Sequence, residues 1–155
     1  MYPSIGRLFE NPIFWSAFFG WMAASILKML ANLRQTGRVD FQYLASLGGM
    51  PSAHSAMVSG LATAVGLREG FGSTIFAVTL AFAAVVMFDA STVRRATGLQ
   101  ARLLNQIVDE VFKHHHLSAQ KLKEILGHTR MEVFAGMLVG ITTGLVVGLW
   151  TRPPA

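Results

Sequence analysis

The chain contains no cysteine, which excludes disulfide bonds, thiol nucleophiles and thiolate metal ligands. It also has few charges: Asp, Glu, Lys and Arg make up 14% of its 155 residues, against roughly 25% in soluble domains. Hydrophobic residues reach 52%. These proportions exclude an ordinary soluble domain and predict one integral membrane domain over residues 1–155.

The charges that are present are mostly basic, and the formal net charge is +5. In a membrane protein, such an excess suits loops on the cytoplasmic side and contacts with anionic lipid or phosphate. We therefore predict that the partner of this chain is the membrane, with an anionic ligand, and that it does not bind nucleic acid.

Four apolar stretches alternate with polar ones, and each is about as long as a membrane-crossing helix. We predict an all-α membrane bundle with transmembrane helices at about 13–33, 50–67, 73–88 and 133–150. The fourth carries glycine at every fourth position from Gly136 to Gly148. Such a stripe of small residues allows close helix packing, either inside the bundle or between two copies in a homodimer.

The segment between the third and fourth spans, residues 89–131, has a different pattern. Apolar residues recur at helical spacing as far as Phe112, and charged residues cover much of the opposite surface, which predicts an amphipathic helix. A short helix is predicted at about 118–126. Three adjacent histidines, at 114–116, diverge in direction around a helix, so we predict a solvated helix end and no metal site there.

Four spans place both termini on one side of the membrane and the loops 34–49 and 89–131 on the other. These two loops hold nine Lys and Arg residues, whereas the termini and the turn 68–72 hold three. The positive-inside rule therefore predicts that the two loops face the cytoplasm.

The polar residues that interrupt or flank the spans converge on this loop side. They are Lys28, Ser52, His54, Asp89, Arg94, Arg95, His128, Thr129 and Glu132. Guanidinium groups pair well with phosphate oxygens, and a histidine can serve as a nucleophile or as a general acid. The pattern therefore indicates a site that binds phosphate and could also catalyse a reaction at phosphorus.

The stretch GGMPSAHSA, residues 48–56, begins the second span. Pro51 suits the first turn of a helix, and the amides of Ser52, Ala53 and His54 would then have no acceptor within the helix. Free amides and the helix dipole favour an anion, so we predict that the phosphate binds there. The alternative is an ordinary proline-started helix whose small residues serve packing.

Several of these residues also have a simpler explanation. Lys28 could snorkel to the membrane surface instead of facing a polar cavity. Thr129 and Glu132 have the spacing of a capping box, which would leave His128 outside the helix. If His128 and Glu132 were both helical, they would form an i, i+4 pair in which Glu132 holds a ring nitrogen of His128. Asp89 could cap the amphipathic helix.

Three blocks of this sequence resemble a known family. GGMPSAHSA, FDASTVRRATGLQARLLN and LGHTRMEVFAG look like the signature blocks of the divergent type-2 phosphatidic acid phosphatase family, also labelled acid phosphatase/vanadium-dependent haloperoxidase-related. The resemblance extends from about residue 28 to residue 140. Members are small membrane proteins of bacteria and plastids, so the resemblance implies a location in a bacterial inner membrane.

In the parent superfamily, a lysine and arginines hold the phosphate, one histidine attacks phosphorus and another protonates the leaving group. Carried over, Lys28 matches the lysine, and His54 matches the proton donor in a Pro-Ser-Gly-His motif that here has Ala53 in place of glycine. His128 matches the nucleophile, with Glu132 as the carboxylate that orients it.

Two departures from the superfamily pattern concern the arginines. No Arg-Pro pair follows Lys28, so either Arg34 or Arg38 takes that place. Arg94 and Arg95 lie more than 30 residues before His128, so the amphipathic segment splits the third motif.

The resemblance implies a lipid-phosphate or polyprenyl-pyrophosphate phosphatase. The catalytic residues would be His128, His54 and Glu132; the phosphate would be bound by Lys28, Arg38, Ser52, Ala53, Arg94 and Arg95, with Arg34, Asp89 and Thr129 in support. A phosphohistidine mechanism needs no metal, so no cofactor is predicted. The alternative is a protein that binds or transports a phospholipid or polyprenyl-phosphate headgroup without hydrolysis. A structural membrane subunit is a third hypothesis, and a vanadate-dependent peroxidase is not favoured.

Overall fold

A computed structural model of the chain describes residues 5–37, 49–112 and 127–151. All the regular structure in these ranges is helical, which confirms the predicted all-α class for this part of the chain. The helices are α1 (Gly6–Phe9), α2 (Pro12–Thr36), α3 (Ala53–Glu69), α4 (Thr74–Ser91), α5 (Val93–Phe112) and α6 (Arg130–Trp150). Arg38, the three adjacent histidines and the short helix predicted at 118–126 lie outside the described residues.

Within the described residues, three helical segments are long and apolar enough to cross a membrane. They are α2, the segment Thr74–Glu110 that contains α4 and most of α5, and α6. The stretch 50–67, predicted as a span, corresponds to α3, which has 17 residues and a length of about 25 Å. The protein is therefore an integral membrane protein, and a fourth crossing by α3 stays a prediction.

The glycines of α2, α3 and α6 explain how the bundle packs. A Cβ added to Gly20 of α2 would lie 2.6 Å from the carbonyl oxygen of Ala56 on α3. A Cβ added to Gly60 of α3 would lie 2.8 Å from the carbonyl oxygen of Ser16 on α2. Main chains this close leave no room for a side chain, so small residues are required there. Residue numbers rise on one helix as they fall on the other, so α2 and α3 are antiparallel.

The glycine stripe of α6 packs on α3 inside the bundle. An added Cβ would collide with the Ser52 main chain at Gly136, with the Ala56 main chain at Gly140 and with Gly60 and Thr63 at Gly144. The two helices are thus parallel, and α3 is enclosed between α2 and α6 with ten buried residues. Of the two roles predicted for the stripe, the structure shows packing within the bundle.

Between α4 and α5 the helix is interrupted at Thr92, where φ is −120° and ψ is −71°. α5 then carries exposed Leu99, Leu103 and Ile107 with charged residues on another face, so it is the predicted amphipathic helix. Asp89 lies in the last turn of α4 and not before α5. Since the residue that precedes α5 is Thr92, Asp89 is not its N-cap.

Candidate active site

The start of α6 positions the predicted nucleophile. The Thr129 hydroxyl accepts a hydrogen bond from the Glu132 amide at 3.3 Å, and Oε2 of Glu132 accepts one from the Thr129 amide at 2.9 Å, which completes a capping box. The same Oε2 lies 3.0 Å from Nδ1 of His128. The two predicted alternatives therefore occur together, because the carboxylate folds back over the helix start and reaches the residue before the cap.

This contact fixes which nitrogen of His128 is available for chemistry. The side chain is buried, with 3% of the residue exposed. An ionised carboxylate can only accept, so a neutral imidazole ring paired with one carries its proton on Nδ1 and its lone pair on Nε2. In that form, Nε2 is the atom that could act as a nucleophile or base.

The end of α4 holds the main chain of the same histidine. The His128 amide donates to the Ala90 carbonyl at 3.1 Å, although the two residues are far apart in sequence. α5, which carries the two neighbouring arginines, begins three residues after Ala90. The fold thereby places the main chain that leads into these arginines next to the main chain of His128. Arg95 is exposed, Asp89 is half-buried, and the side chain of Arg94 lies outside the described part of the structure.

The start of α3 differs from the prediction in two respects. The N-cap is Ser52, whose hydroxyl accepts from the Ser55 amide at 3.4 Å, so the helix begins at Ala53 and Pro51 precedes it. Serine is among the strongest N-cap residues, and this overrides a start at the proline. The Ser52 amide was predicted to lack an acceptor, but it donates to the Glu132 carbonyl at 3.0 Å.

The predicted anion site at the start of α3 stays a prediction. Ala53 is the first residue of the helix, a position whose amide has no acceptor within an α-helix, and His54 follows it. Ala53 is buried and His54 is partly exposed. The Ser52 side chain is fully buried and serves as the cap. These amides point towards the end of the bundle where His128 lies, because the Ser52 amide contacts the first turn of α6.

Lys28 does not snorkel. It is 3% exposed, and its side-chain carbons lie against Gly49, where an added Cβ would be 3.4 Å from Cγ and Cδ. Arg34 lies about 9 Å further along α2 and about 240° around it, and it is exposed. Lys28 is therefore turned into the bundle near the start of α3, and Arg34 lies on another, exposed face of α2.

Comparison with known proteins decides the family. The family described as "Divergent PAP2", in which PAP2 denotes type-2 phosphatidic acid phosphatase, matches residues 9–143. The chain belongs to this family. It is also 38% identical over 135 residues to the uncharacterized membrane protein YuiD of Bacillus subtilis (strain 168), a match that covers 80% of this chain and 85% of that one. No solved structure matches it.

All three signature blocks lie inside the matched range of the divergent PAP2 family, so the predicted membership is confirmed. The structure adds residues that the blocks did not single out. Ala90 contributes its carbonyl to His128, and Gly136 leaves room for Ser52 to reach Glu132. The glycine spacing of α6 indicated the close approach at Gly136. The sequence carries no signal for the contact between Ala90 and His128, because it joins distant segments.

Ser25 is a polar residue of the first span that the sequence analysis did not assign to the site. It lies one turn before Lys28 on α2 and is 1% exposed. Its hydroxyl has no hydrogen-bond partner among the described residues. Ser25, Lys28 and Asn32 are all buried and are spaced three and four residues apart, which is the pattern of one helix face. That polar spacing in an otherwise apolar helix was the available signal.

Proposed function

We propose that this divergent PAP2 protein is a phosphatase of lipid phosphates or polyprenyl pyrophosphates that acts through a phosphohistidine intermediate. The proposal rests above all on the 3.0 Å contact between Nδ1 of buried His128 and Oε2 of Glu132. A histidine oriented by a carboxylate is an activated nucleophile. Lys28, buried against Gly49 just before the start of α3, supplies a cation that suits an anionic substrate.

The reaction has two displacements at phosphorus. Nε2 of His128 attacks, the bond from phosphorus to the lipid oxygen breaks, and its electron pair leaves on that oxygen, which takes a proton from His54. Glu132 stabilises the positive charge on the imidazole ring. Water then attacks the phosphorus of the phosphohistidine and gives a proton to His54, which restores the general acid; the bond from phosphorus to Nε2 breaks, its electron pair returns to Nε2, and inorganic phosphate is released. Lys28 and the first amides of α3 stabilise the charge on the transferring group throughout.

The remaining phosphate ligands in the proposal are arginines. Arg38 follows the end of α2, while Arg94 and Arg95 lie in the first turn of α5, close in sequence to the carbonyl that binds His128. Guanidinium groups at these positions would complete the cationic ring around the phosphate. In this arrangement α3 crosses the membrane as a fourth span. The site then lies on the cytoplasmic side of a bacterial inner membrane, where the basic loops also lie.

Phosphate release tests the proposal. Protein purified in detergent, with metals chelated, would be given phosphatidic acid or a polyprenyl pyrophosphate. We expect release by the wild type and a loss of about 10²-fold or more in His128→Ala and in His54→Ala, because each removes a group that bonds to a reacting atom. His115→Ala is the matched control, since the proposal gives that histidine no role.

Trapping the intermediate separates the two histidines. With substrate labelled at phosphorus, we expect acid-labile label on the wild type and none on His128→Ala. His54→Ala should also become labelled when the leaving group of the substrate needs no proton. Tight binding of the same lipids by the wild type without any phosphate release would contradict the phosphatase and favour a protein that binds or transports the headgroup.

A further inference from the structure

A groove of about 300 Å³ runs along the bundle between α4 and α6, with α3 as its floor. Met87 of α4 and Met137 of α6 line one end. Phe71 and Phe76 line the other, where their rings pack edge to face with centroids 5.2 Å apart. Along α4 the groove extends from Phe76 to Met87, a rise of about 16 Å.

The hydroxyl groups in the wall of this groove have no proton left to donate to a ligand. Its two hydroxyl-bearing residues on α3, Ser59 and Thr63, already donate to main-chain carbonyls, to Met137 at 3.2 Å and to Ser59 at 2.8 Å respectively. The other lining residues are apolar. An occupant must therefore be hydrocarbon, because a polar group placed there would lose its hydrogen bonds to water without replacement.

The groove begins close to the candidate active site. Met87 lies three residues before Ala90, whose carbonyl binds the His128 amide, and Met137 lies five residues after Glu132. Its side is open towards the bilayer, since Leu80 is 51% exposed and Leu145 is 40% exposed. Its length of about 16 Å is close to half of the ~30 Å hydrocarbon core, which is the depth of one leaflet.

We propose that this groove holds the hydrocarbon chain of the same lipid whose phosphate meets Lys28 and His128. The inference rests on the proposed function and extends it, because it assigns a binding surface to the part of the substrate that does not react. The chain enters sideways from one leaflet between α4 and α6, and its fixed position places the phosphate against Nε2 of His128.

A side chain that fills the groove tests the proposal. Leu80→Trp enlarges a residue that lines it, and Val78→Trp is the matched control, because Val78 is 58% exposed on the same helix and lies about 160° around it from Leu80. The probes are long-chain phosphatidic acid, short-chain phosphatidic acid and p-nitrophenyl phosphate, which has no chain.

We expect Leu80→Trp to lower kcat/KM for the long-chain lipid about tenfold or more, since misplacing a reacting group by ~1 Å can cost up to 10²-fold. The short-chain lipid should lose less, p-nitrophenyl phosphate should be unaffected, and Val78→Trp should match the wild type on all three. Equal losses on all substrates, no loss on any, or equal effects of the two variants would overturn the proposal.

A measurement independent of turnover separates this inference from the proposed function. Phosphatidic acid with a photoreactive group in the middle of its chain would be cross-linked to the wild type and to His128→Ala in lipid nanodiscs, and the labelled residues mapped by mass spectrometry. We expect label on Leu80, Met137 and Ile141 in both proteins, and its loss in Leu80→Trp. Label on Val78 equal to that on Leu80, or protection of the groove by a second copy of the chain, would refute the inference even in an active enzyme.

Discussion

At the scale of the residue, Glu132 combines two functions in one carboxylate oxygen. Oε2 accepts from the Thr129 amide at 2.9 Å and contacts Nδ1 of His128 at 3.0 Å. The first contact stabilises the start of α6, and the second orients the ring. The position of His128 is therefore coupled to the geometry of a helix start, which is more rigid than a loop.

Glu132→Gln separates these two functions. Glutamine is compatible with a capping box, so α6 should begin at the same residue. A neutral amide does not stabilise a positively charged imidazole ring, so we expect phosphate release to fall about 10²-fold. Thermal unfolding and release assays would be run together, with Thr129→Ser as the control that keeps the hydroxyl. Full activity in Glu132→Gln would show that the 3.0 Å contact has no catalytic role.

The buried hydroxyl of Ser25 is expected to lower the free energy of unfolding of the protein. A buried polar group without a partner costs about 1–3 kcal/mol, so Ser25→Ala should raise the free energy of unfolding by about 1 kcal/mol. Ser16→Ala on the same helix is the control, because the Ser16 hydroxyl is equally buried but donates to the Pro12 carbonyl at 3.0 Å. We expect it to leave stability unchanged or lower. Equal destabilisation by both changes, measured by thermal unfolding in detergent, would mean that Ser25 has a partner after all.

At the scale of the element, the contact between α3 and α6 both packs the bundle and joins two segments of the candidate site. Gly136 allows the Ser52 main chain to approach α6, and the Ser52 amide then donates to the Glu132 carbonyl at 3.0 Å. The residue that caps α3 is thereby attached to the residue that orients His128. A loss of close packing at this point should disturb the chemistry as well as the fold.

Gly136→Ala tests this coupling. Its Cβ would collide with the Ser52 main chain, which cannot move aside as a side-chain end can, so we expect a loss of about 1–3 kcal/mol in stability and of most phosphate release. Gly148→Ala is the control from the same stripe. Its Cβ would lie 2.7 Å from Leu67 Cδ1, the end of a flexible side chain, and should be tolerated. Similar effects of the two changes on release would argue against a link between the stripe and the site.

At the scale of the whole molecule, local patterns predicted more than distant contacts did. The capping box and the helical glycine stripe follow from spacing within one element, and both were predictable. The contact between the His128 amide and Ala90 was not, because it joins segments separated by the amphipathic helix. The predicted place of Pro51 in the first turn of α3 is wrong, because the helix begins at Ala53 after Ser52 as its N-cap. A proline start and a serine cap compete over two adjacent residues, and sequence alone does not rank them.

The number of membrane crossings is the property of the whole molecule that most needs a measurement. Because the chain has no cysteine, single cysteines can be labelled without background. Ile5→Cys, Arg34→Cys and Gly72→Cys are all at exposed positions, before α2, at its end and between α3 and α4. With α3 as a fourth crossing, a membrane-impermeant maleimide should label Ile5→Cys and Gly72→Cys in intact spheroplasts, and Arg34→Cys only after lysis. Gly72→Cys behaving like Arg34→Cys would mean that α3 does not cross. The complete reverse of the expected pattern would keep four spans and place the site on the outer side.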